Sequence, residues 1–513
     1  MANQAKLLLF SHVSNTESIT GAEKMLLHLA LKLSAYFQCV LVAPQAGELT
    51  RRAAQYGIRT IPCRYPLVYE MYIPGPNLPQ VVENLTETAE FQHLTALIQA
   101  EQADVILTNT CVNVLPAVAA SRLGIPVVWN ITEAIVHTAY FGHALQLIDS
   151  LSDRVMAISG TVMSRLQGGI PEEKLGLIYP SWEWSDYHPG RWGRLRADKR
   201  SELGVGPGHR LIGFISSFLT EEKGFGHFID TALELCKERS DLRFLVIGQR
   251  NDRSFYKSCL DKLNETKYFA RFNFIPYEKS VEAAYCAMDI LVIPSLMPEG
   301  FGLTALEGMI HGKLTAAYEA GGLGEVLGAC GFGSYLSEMG NREQLTVQVK
   351  ALLELPEEAA SSLSAAAREQ AEIHFGPAAF SERLRSEVLA WAVRRPDRLY
   401  VNEADEGRIW SSIGGPGTMD TAAAYAEEPA PAASSPIQGR KRRRLRRLRF
   451  KHGSAKAKRR SRNGGGSKRS GAVRRRLSGR VTASRRKKRG GPKRSGAARK
   501  KRGAIGARRR TKR

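Results

Sequence analysis

Short apolar runs and amphipathic stretches alternate along most of this 513-residue chain. In "KLLLFSHV", "CVLVAP", "IRTIPC", "DVILTNT", "IPVVWNI" and "RVMAIS" the apolar residues are nearly continuous. A strand with one face in water alternates polar and apolar positions, so a continuous run signals burial on both faces, as in a parallel sheet covered by helices. "GAEKMLLHLALKLSAY", after the first run, has the spacing of the covering helix. The pattern predicts a Rossmann-like α/β domain over residues 1–190.

"YPSWEWSDYHPGRWGRLR" breaks the rhythm and reads as an interdomain linker. The pattern restarts with "RLIGFISSF", "LRFLVIGQ", "RFNFIPY", "DILVIPS" and "GKLTAAYEAGG", predicting a second Rossmann-like domain over 191–376. "PAAFSERLRSEVLAWAV" reads as a closing helix starting at Pro377, within a closing segment and extension over 377–410. Residues 411–438 are rich in Gly, Pro, Ala and Ser and read as a flexible linker. Residues 439–513 are of low complexity, with "KRSGA" twice, and are expected to be a disordered polybasic tail.

Charge separates these parts. Of the 74 Lys and Arg, 36 follow residue 436, where there is no Asp or Glu. The remaining 38 face 50 acidic residues, so an acidic globular region carries a polycationic extension. A flexible polycation binds polyanions by counterion release, which suits nucleic acid, acidic lipid or an anionic envelope or spore polymer. The tail has almost no aromatic residues, only Phe450, which argues against base-specific reading of single strands. Leu445 and Leu448, with Phe450 close by, are spaced for a short amphipathic helix on a membrane surface. The seven cysteines are dispersed with no metal-ligand spacing and read as reduced core thiols. No run approaches the roughly 20 residues needed to span a bilayer. A soluble cytoplasmic protein, peripheral at a membrane at most, is therefore expected.

Two Rossmann-like domains in series leave a cleft between the carboxyl ends of their sheets, where helix N-termini and loop amides face a ligand. "LVIPSLMPEGFGLTALEGM" runs from strand through loop to helix and carries Glu299 at the cleft mouth and Glu307 in the helix. By spacing alone, the two glutamates serve equally as hydroxyl-binding anchors or as ordinary helix charges.

This segment resembles the E-x7-E region of the retaining GT-B glycosyltransferases of family 4, and "EGFGLTALEGMIHGKLTAAYEAGGLGEVL" is similar throughout to that family's donor-site block. "FLTEEKGFGHFIDTALEL" resembles its phosphate segment, "VMAISGTVMSRL" and "GIPEEKLGLIYP" the close of its first domain, and "SITGAEKMLLHLALKL" its glycine-rich first loop and helix. The resemblance implies a GT-B fold and transfer of a sugar from a nucleotide diphosphate sugar, with retention, to a glycan or lipid-linked acceptor in cell-surface glycan synthesis. It implies no cofactor and no metal, in keeping with the lack of a DxD cluster near these motifs. Glu299 and Lys223 would act at the reacting centre, Glu299 on the donor sugar and Lys223 on the departing diphosphate. Glu307 would bind the ribose. The backbone of Phe301, Gly302, Leu303 and Thr304 would cradle sugar and phosphate, with Gly21 close to the phosphates from the first domain.

The sequence departs from the family at three places. Ser217 and Phe218 stand where an arginine is usual. "WNITEA" places Asn130 and Thr132, then Glu133, where a histidine normally contacts the donor sugar, with His137 five residues beyond Thr132, placed in a helix, as its substitute. Thr20 replaces the first of two glycines, which would crowd the backbone. These departures keep open a second class of function, a degenerate GT-B module that binds a nucleotide sugar or glycan and is tethered to a polyanion by its tail. A third makes the tail the main function. "YEMYIPGPNLPQ" is a candidate acceptor-side loop.

Overall fold

The computed structural model describes residues 4–394. The expectations for 395–410 and for the linker and tail over 411–513 lie outside the described residues. Two parallel sheets form the core. The first contains β1 (Lys6–Phe10), β2 (Gln38–Ala43), β3 (Arg59–Pro62), β4 (Val105–Asn109), β5 (Val127–Ile131), β6 (Arg154–Ala157) and β7 (Leu175–Leu177), in the order β3-β2-β1-β4-β5-β6-β7. The second contains β8 (Arg210–Phe218), β9 (Leu242–Gln249), β10 (Phe272–Ile275), β11 (Ile290–Ile293), β12 (Leu314–Tyr318) and β13 (Leu336–Ser337), in the order β10-β9-β8-β11-β12-β13.

Every residue of β4, β5, β11 and β12 is buried, which is why their sequences run apolar without alternation. In each sheet the strand order reverses direction beside its first strand, between β1 and β4 and between β8 and β11. Loops leaving adjacent strands at such a point diverge to opposite faces and open a crevice at the carboxyl ends. The two crevices hold the chemistry described below.

The helix Gly21–Leu33 follows β1 and is started by a reciprocal cap. The Thr20 hydroxyl accepts from the Glu23 amide at 3.3 Å, and the Glu23 carboxylate accepts from the Thr20 amide at 2.8 Å. Thr20, expected to crowd the backbone, instead closes a helix end that a glycine would leave without a side-chain partner.

The expected linker is only partly irregular, because the helix Trp192–Glu202 begins inside it. Its buried face is basic rather than apolar, which hid it from a hydrophobic reading. Arg196 and Arg200 both grip the Asp289 carboxylate, at 2.5 and 3.1 Å. The closing helix Pro377–Arg394 lies on the first sheet's side of the molecule. Glu387 binds Arg154 of β6 at 2.7 Å through two parallel hydrogen bonds, and Phe380 and Trp391 meet His28 and Phe37. No helix among the described residues is long and apolar enough to cross a membrane.

Candidate active site

A cavity of about 280 Å³ lies where the two crevices face each other. The second domain supplies Lys223 from the loop after β8 and Glu299 to Thr304 from the loop after β11, so the two loops that flank the reversal both contribute. Gly21, Ala22 and Met25 of the first helix, with Thr132 and Glu133 after β5, form the opposite wall.

Several devices fix the Glu299 loop. The Glu299 carbonyl accepts from the Gly322 amide at 2.9 Å, and its own amide donates to the Ala320 carbonyl at 3.2 Å, so the loop pairs with the turn at Gly321. The Phe301 ring is buried in an aromatic cluster with Tyr179 and Phe375. Gly302, at φ +103°, caps the helix Leu303–Ile310 in a conformation costly for any residue with a Cβ. The first amides of that helix, at Leu303 and Thr304, border the cavity and suit an anion.

Lys223 and Glu299 form an ion pair at 2.8 Å, and the Ser295 hydroxyl donates to the same Glu299 oxygen at 2.8 Å. Gly224, next to Lys223, precedes the helix Phe225–Glu238 with φ +72°. Among the described residues lining the cavity, Lys223 is the cation. Ser216 and Ser217 supply hydroxyls where the missing arginine was expected, and Phe218 does not reach the wall.

Glu307 stands apart from the cavity lining. Its carboxylate receives Lys24 Nζ at 2.6 Å and the Tyr285 hydroxyl at 2.9 Å. Burial pushes its pKa up, but Lys24 and Tyr285 outweigh burial and leave it below the usual glutamate value. Lys24 is one helical turn beyond Gly21 on the first domain, so this pair bridges the domains beside the cavity. A pair made by two residues 283 positions apart was not legible in the sequence.

Other bridges define the same closure. Glu325, in the helix Gly322–Ala329, accepts from the amides of Gly160 and Thr161 at 2.8 and 2.5 Å, capping the helix Gly160–Leu166 of the other domain. The Ser159 hydroxyl donates to the Gly300 carbonyl. A Cβ on Gly21 would come within 2.8 Å of Leu303, and one on Gly300 would collide with the Thr132 carbonyl oxygen. The glycines thus let the walls approach.

His137 does not substitute for a sugar-facing histidine. It is exposed, lies in a segment without helix after β5, and stacks on Phe141 at 4.8 Å, away from the cavity. Asn130 is buried beneath the wall, donating to Asn109 Oδ1 at 2.7 Å. Thr132 and Glu133 are the residues of "WNITEA" that face the cavity. "YEMYIPGPNLPQ" forms a short 3₁₀ turn, Tyr69–Met71, and the start of the helix Leu78–Leu85. It brings Tyr72 close enough to Glu133 and Glu299 that, after burial, their charges help hold its phenol above the usual value.

The first domain matches the model described as Glycosyltransferase Family 4 over residues 19–181, and the second matches Glycosyl transferases group 1 over residues 209–355, together more than half of the chain. The chain is 32% identical over 149 residues to the 2-deoxystreptamine glucosyltransferase of Streptomyces kanamyceticus, a match covering 29% of this chain and 38% of that enzyme. It is 22% identical over 292 residues to the lipopolysaccharide core biosynthesis mannosyltransferase LpsB of Rhizobium meliloti, covering 56% and 79%. In three dimensions it is similar to Anabaena HepE solved with UDP and glucose, with a TM-score of 0.61 at 18% identity, covering 75% of this chain and 99% of that one.

Proposed function

The chain belongs to the glycosyltransferases of group 1 and family 4, and we propose that it moves a sugar from a nucleotide diphosphate sugar to a glycan or lipid-linked acceptor, with retention at the anomeric carbon. One observation carries this reading: Lys223, Glu299 and the amides at Leu303 and Thr304 converge on one cavity with Gly21 opposite.

Negative charge that develops on a departing diphosphate is stabilised by fixed cations and helix-start amides, which need no reorganisation during the reaction. Lys223 and the helix start at Leu303 supply that field. Glu299 anchors the transferred sugar through its hydroxyls, and Lys223 exchanges this carboxylate for phosphate oxygen as donor binds. Glu307 receives the ribose hydroxyls, which then take over the place of Lys24 Nζ. HepE was solved with UDP-glucose and LpsB is named a lipopolysaccharide core mannosyltransferase, so UDP and GDP sugars and a role in cell-surface glycan synthesis form the natural first hypothesis. The polybasic tail would hold the enzyme near a polyanion.

Thermal-shift titration of the full chain with UDP and GDP sugars tests the donor assignment. One donor class is expected to raise the melting temperature, and Glu307→Ala to lose that shift. An equal shift in wild type and Glu307→Ala would remove Glu307 from the donor site. A binding module with poor turnover is the second reading, favoured by Lys223 being the cation on the cavity wall among the described residues. Donor binding without hydrolysis or transfer would select it.

A further inference from the structure

The two walls of the cavity meet in register. A Cβ on Gly21 would come within 2.8 Å of the Leu303 side chain, and one on Gly300 would collide with the Thr132 carbonyl oxygen. Gly21 therefore faces the helix start at Leu303, the end suited to an anion, while Thr132 and Glu133 face the loop at Glu299 and Gly300. The Tyr72 phenol feels the charges of both Glu133 and Glu299, which places the two carboxylates around the same end. With Glu299 as sugar anchor, that end is where the sugar lies.

Glu133 is held there without a cation. Its two oxygens accept from the Cys111 amide at 2.9 Å and the Thr132 hydroxyl at 2.8 Å. Among the described residues no Lys, Arg or His lies within ion-pairing distance of it, whereas Glu307 has Lys24 and Glu299 has Lys223. The amide that fixes Glu133 comes from a strained turn. Thr110, just before Cys111, has φ +79°, a conformation costly for a β-branched residue. Its amide donates to the Asn130 carbonyl at 2.8 Å and its carbonyl accepts from Trp129 Nε1 at 2.9 Å, so the turn is fixed from both sides.

Among the described residues Lys223 is the cation on the cavity wall, and the diphosphate draws it away from Glu299. The sugar end is then left with two carboxylates and no cation beside them. Like charges repel strongly at short range in a site shielded from water, whereas a hydroxyl donates a hydrogen bond to either carboxylate. Accepting the glycosyltransferase reading above, we infer that Glu133 sets the charge of the sugar this cavity admits: neutral sugars enter, and uronic acids, which bring a carboxylate of their own, are rejected. In this role Glu133 takes no proton and forms no bond, so retention at the anomeric carbon is unaffected.

Burial raises the Glu133 pKa above the usual glutamate value, against the lowering effect of its hydrogen bonds to Cys111 and Thr132. The titratable groups facing it are Cys111 on the β4 loop, Tyr72 on the rim and Glu299 with its Lys223; Arg165 stands beside Tyr72. A uronic acid in water is an ordinary carboxylic acid, so Glu133 is neutralised first as pH falls. Rejection is therefore complete above the raised pKa and fades as the pH drops through it.

UDP-glucose and UDP-glucuronate differ only in the sugar carboxylate and form the test pair; GDP-mannose and GDP-mannuronate replace them if guanine nucleotides raise the melting temperature instead. Affinities are measured by calorimetry on the full chain at about pH 8, with the nucleotide diphosphate alone as control. The wild type is expected to prefer the neutral sugar by roughly 30-fold or more, and Glu133→Gln to narrow that preference about tenfold, with affinity for the bare nucleotide within about twofold. Glu133→Asp, which keeps the charge, is expected to keep the preference. No preference in the wild type, or a narrowing of less than about threefold in Glu133→Gln, overturns the inference. If Glu133→Gln melts below the wild type, a pH series on the wild type decides. A preference that narrows before the sugar carboxylate protonates supports the role, and a constant one overturns it. If neither UDP, GDP nor any of these sugar nucleotides binds, the transferase reading itself fails, whereas nucleotide binding without a preference for neutral sugar removes only the role of Glu133.

Discussion

A Cβ on Gly224 would collide with the Pro294 carbonyl oxygen, and the backbone there is at φ +72°. Gly224→Ala therefore meets both a steric conflict and a conformation that L-residues rarely adopt. Its cost is expected to be at least about 2 kcal/mol, read as a lower denaturant midpoint at unchanged slope, and the displaced Lys223 should weaken nucleotide binding in the same variant. At this scale the sequence was legible wherever a residue type has few uses. Gly300 and Gly302 around a strand-loop-helix junction marked a close backbone approach, while the part of Lys223 and Gly224 came from the resemblance to a family segment. Glu133 was visible in the sequence only as a residue beyond the expected histidine. Its place on the cavity wall is fixed by the amide of Cys111, 22 positions away, which sequence spacing does not reveal.

The closing helix Pro377–Arg394 depends on a fork of two hydrogen bonds between Glu387 and Arg154, whose side chains are 10% and 11% exposed. Removing one partner leaves the other charged and buried, so Glu387→Ala is expected to cost about 3 kcal/mol in denaturant unfolding. Replacing both, as Arg154→Met with Glu387→Leu, should recover most of that loss, because the desolvated charges go together. An equal loss in single and double variants would mean that the helix position, not the ion pair, was damaged. Elements with apolar faces were readable from pattern: eleven strands, and the first and closing helices, lie where the hydrophobic runs put them. The misses share a cause. β7 and β13 are edge strands of three and two residues, too short to carry a period. The helix Trp192–Glu202 buries Lys199 and Arg200 against carboxylates, with the half-exposed Arg196 paired beside them, so its inner face looks solvent-facing in sequence.

Over the whole molecule, charge is divided between an acidic body and a basic extension lying outside the described residues. Among the 77 residues from Ile437 to Arg513, 36 are Lys or Arg and none is acidic. The full chain is expected to bind duplex DNA without sequence preference, and a chain ending at residue 436 to lose that binding. If six or more phosphates are neutralised, affinity should fall on the order of 1,000-fold between 50 and 200 mM salt, measured by fluorescence anisotropy. Anionic vesicles in the same assay ask whether lipid headgroups compete. Equal binding by the two chains, or binding indifferent to salt, would contradict a polyanion tether.

The sequence by itself determined the two parallel sheets, because burial on both faces leaves a continuous apolar run. It also placed Glu299 and the start of the following helix at the carboxyl end of the second sheet, because strand-loop-helix order puts them there, whereas Lys223 was pointed to by the family resemblance. Which carboxylates face the cavity and which are neutralised was decided only by the tertiary structure. Lys24 meets Glu307, Glu325 caps a helix of the other domain, and Glu133 receives an amide from a strained turn. Each of these depends on the approach of segments distant in the chain, and local hydrophobic period carries no information about that approach.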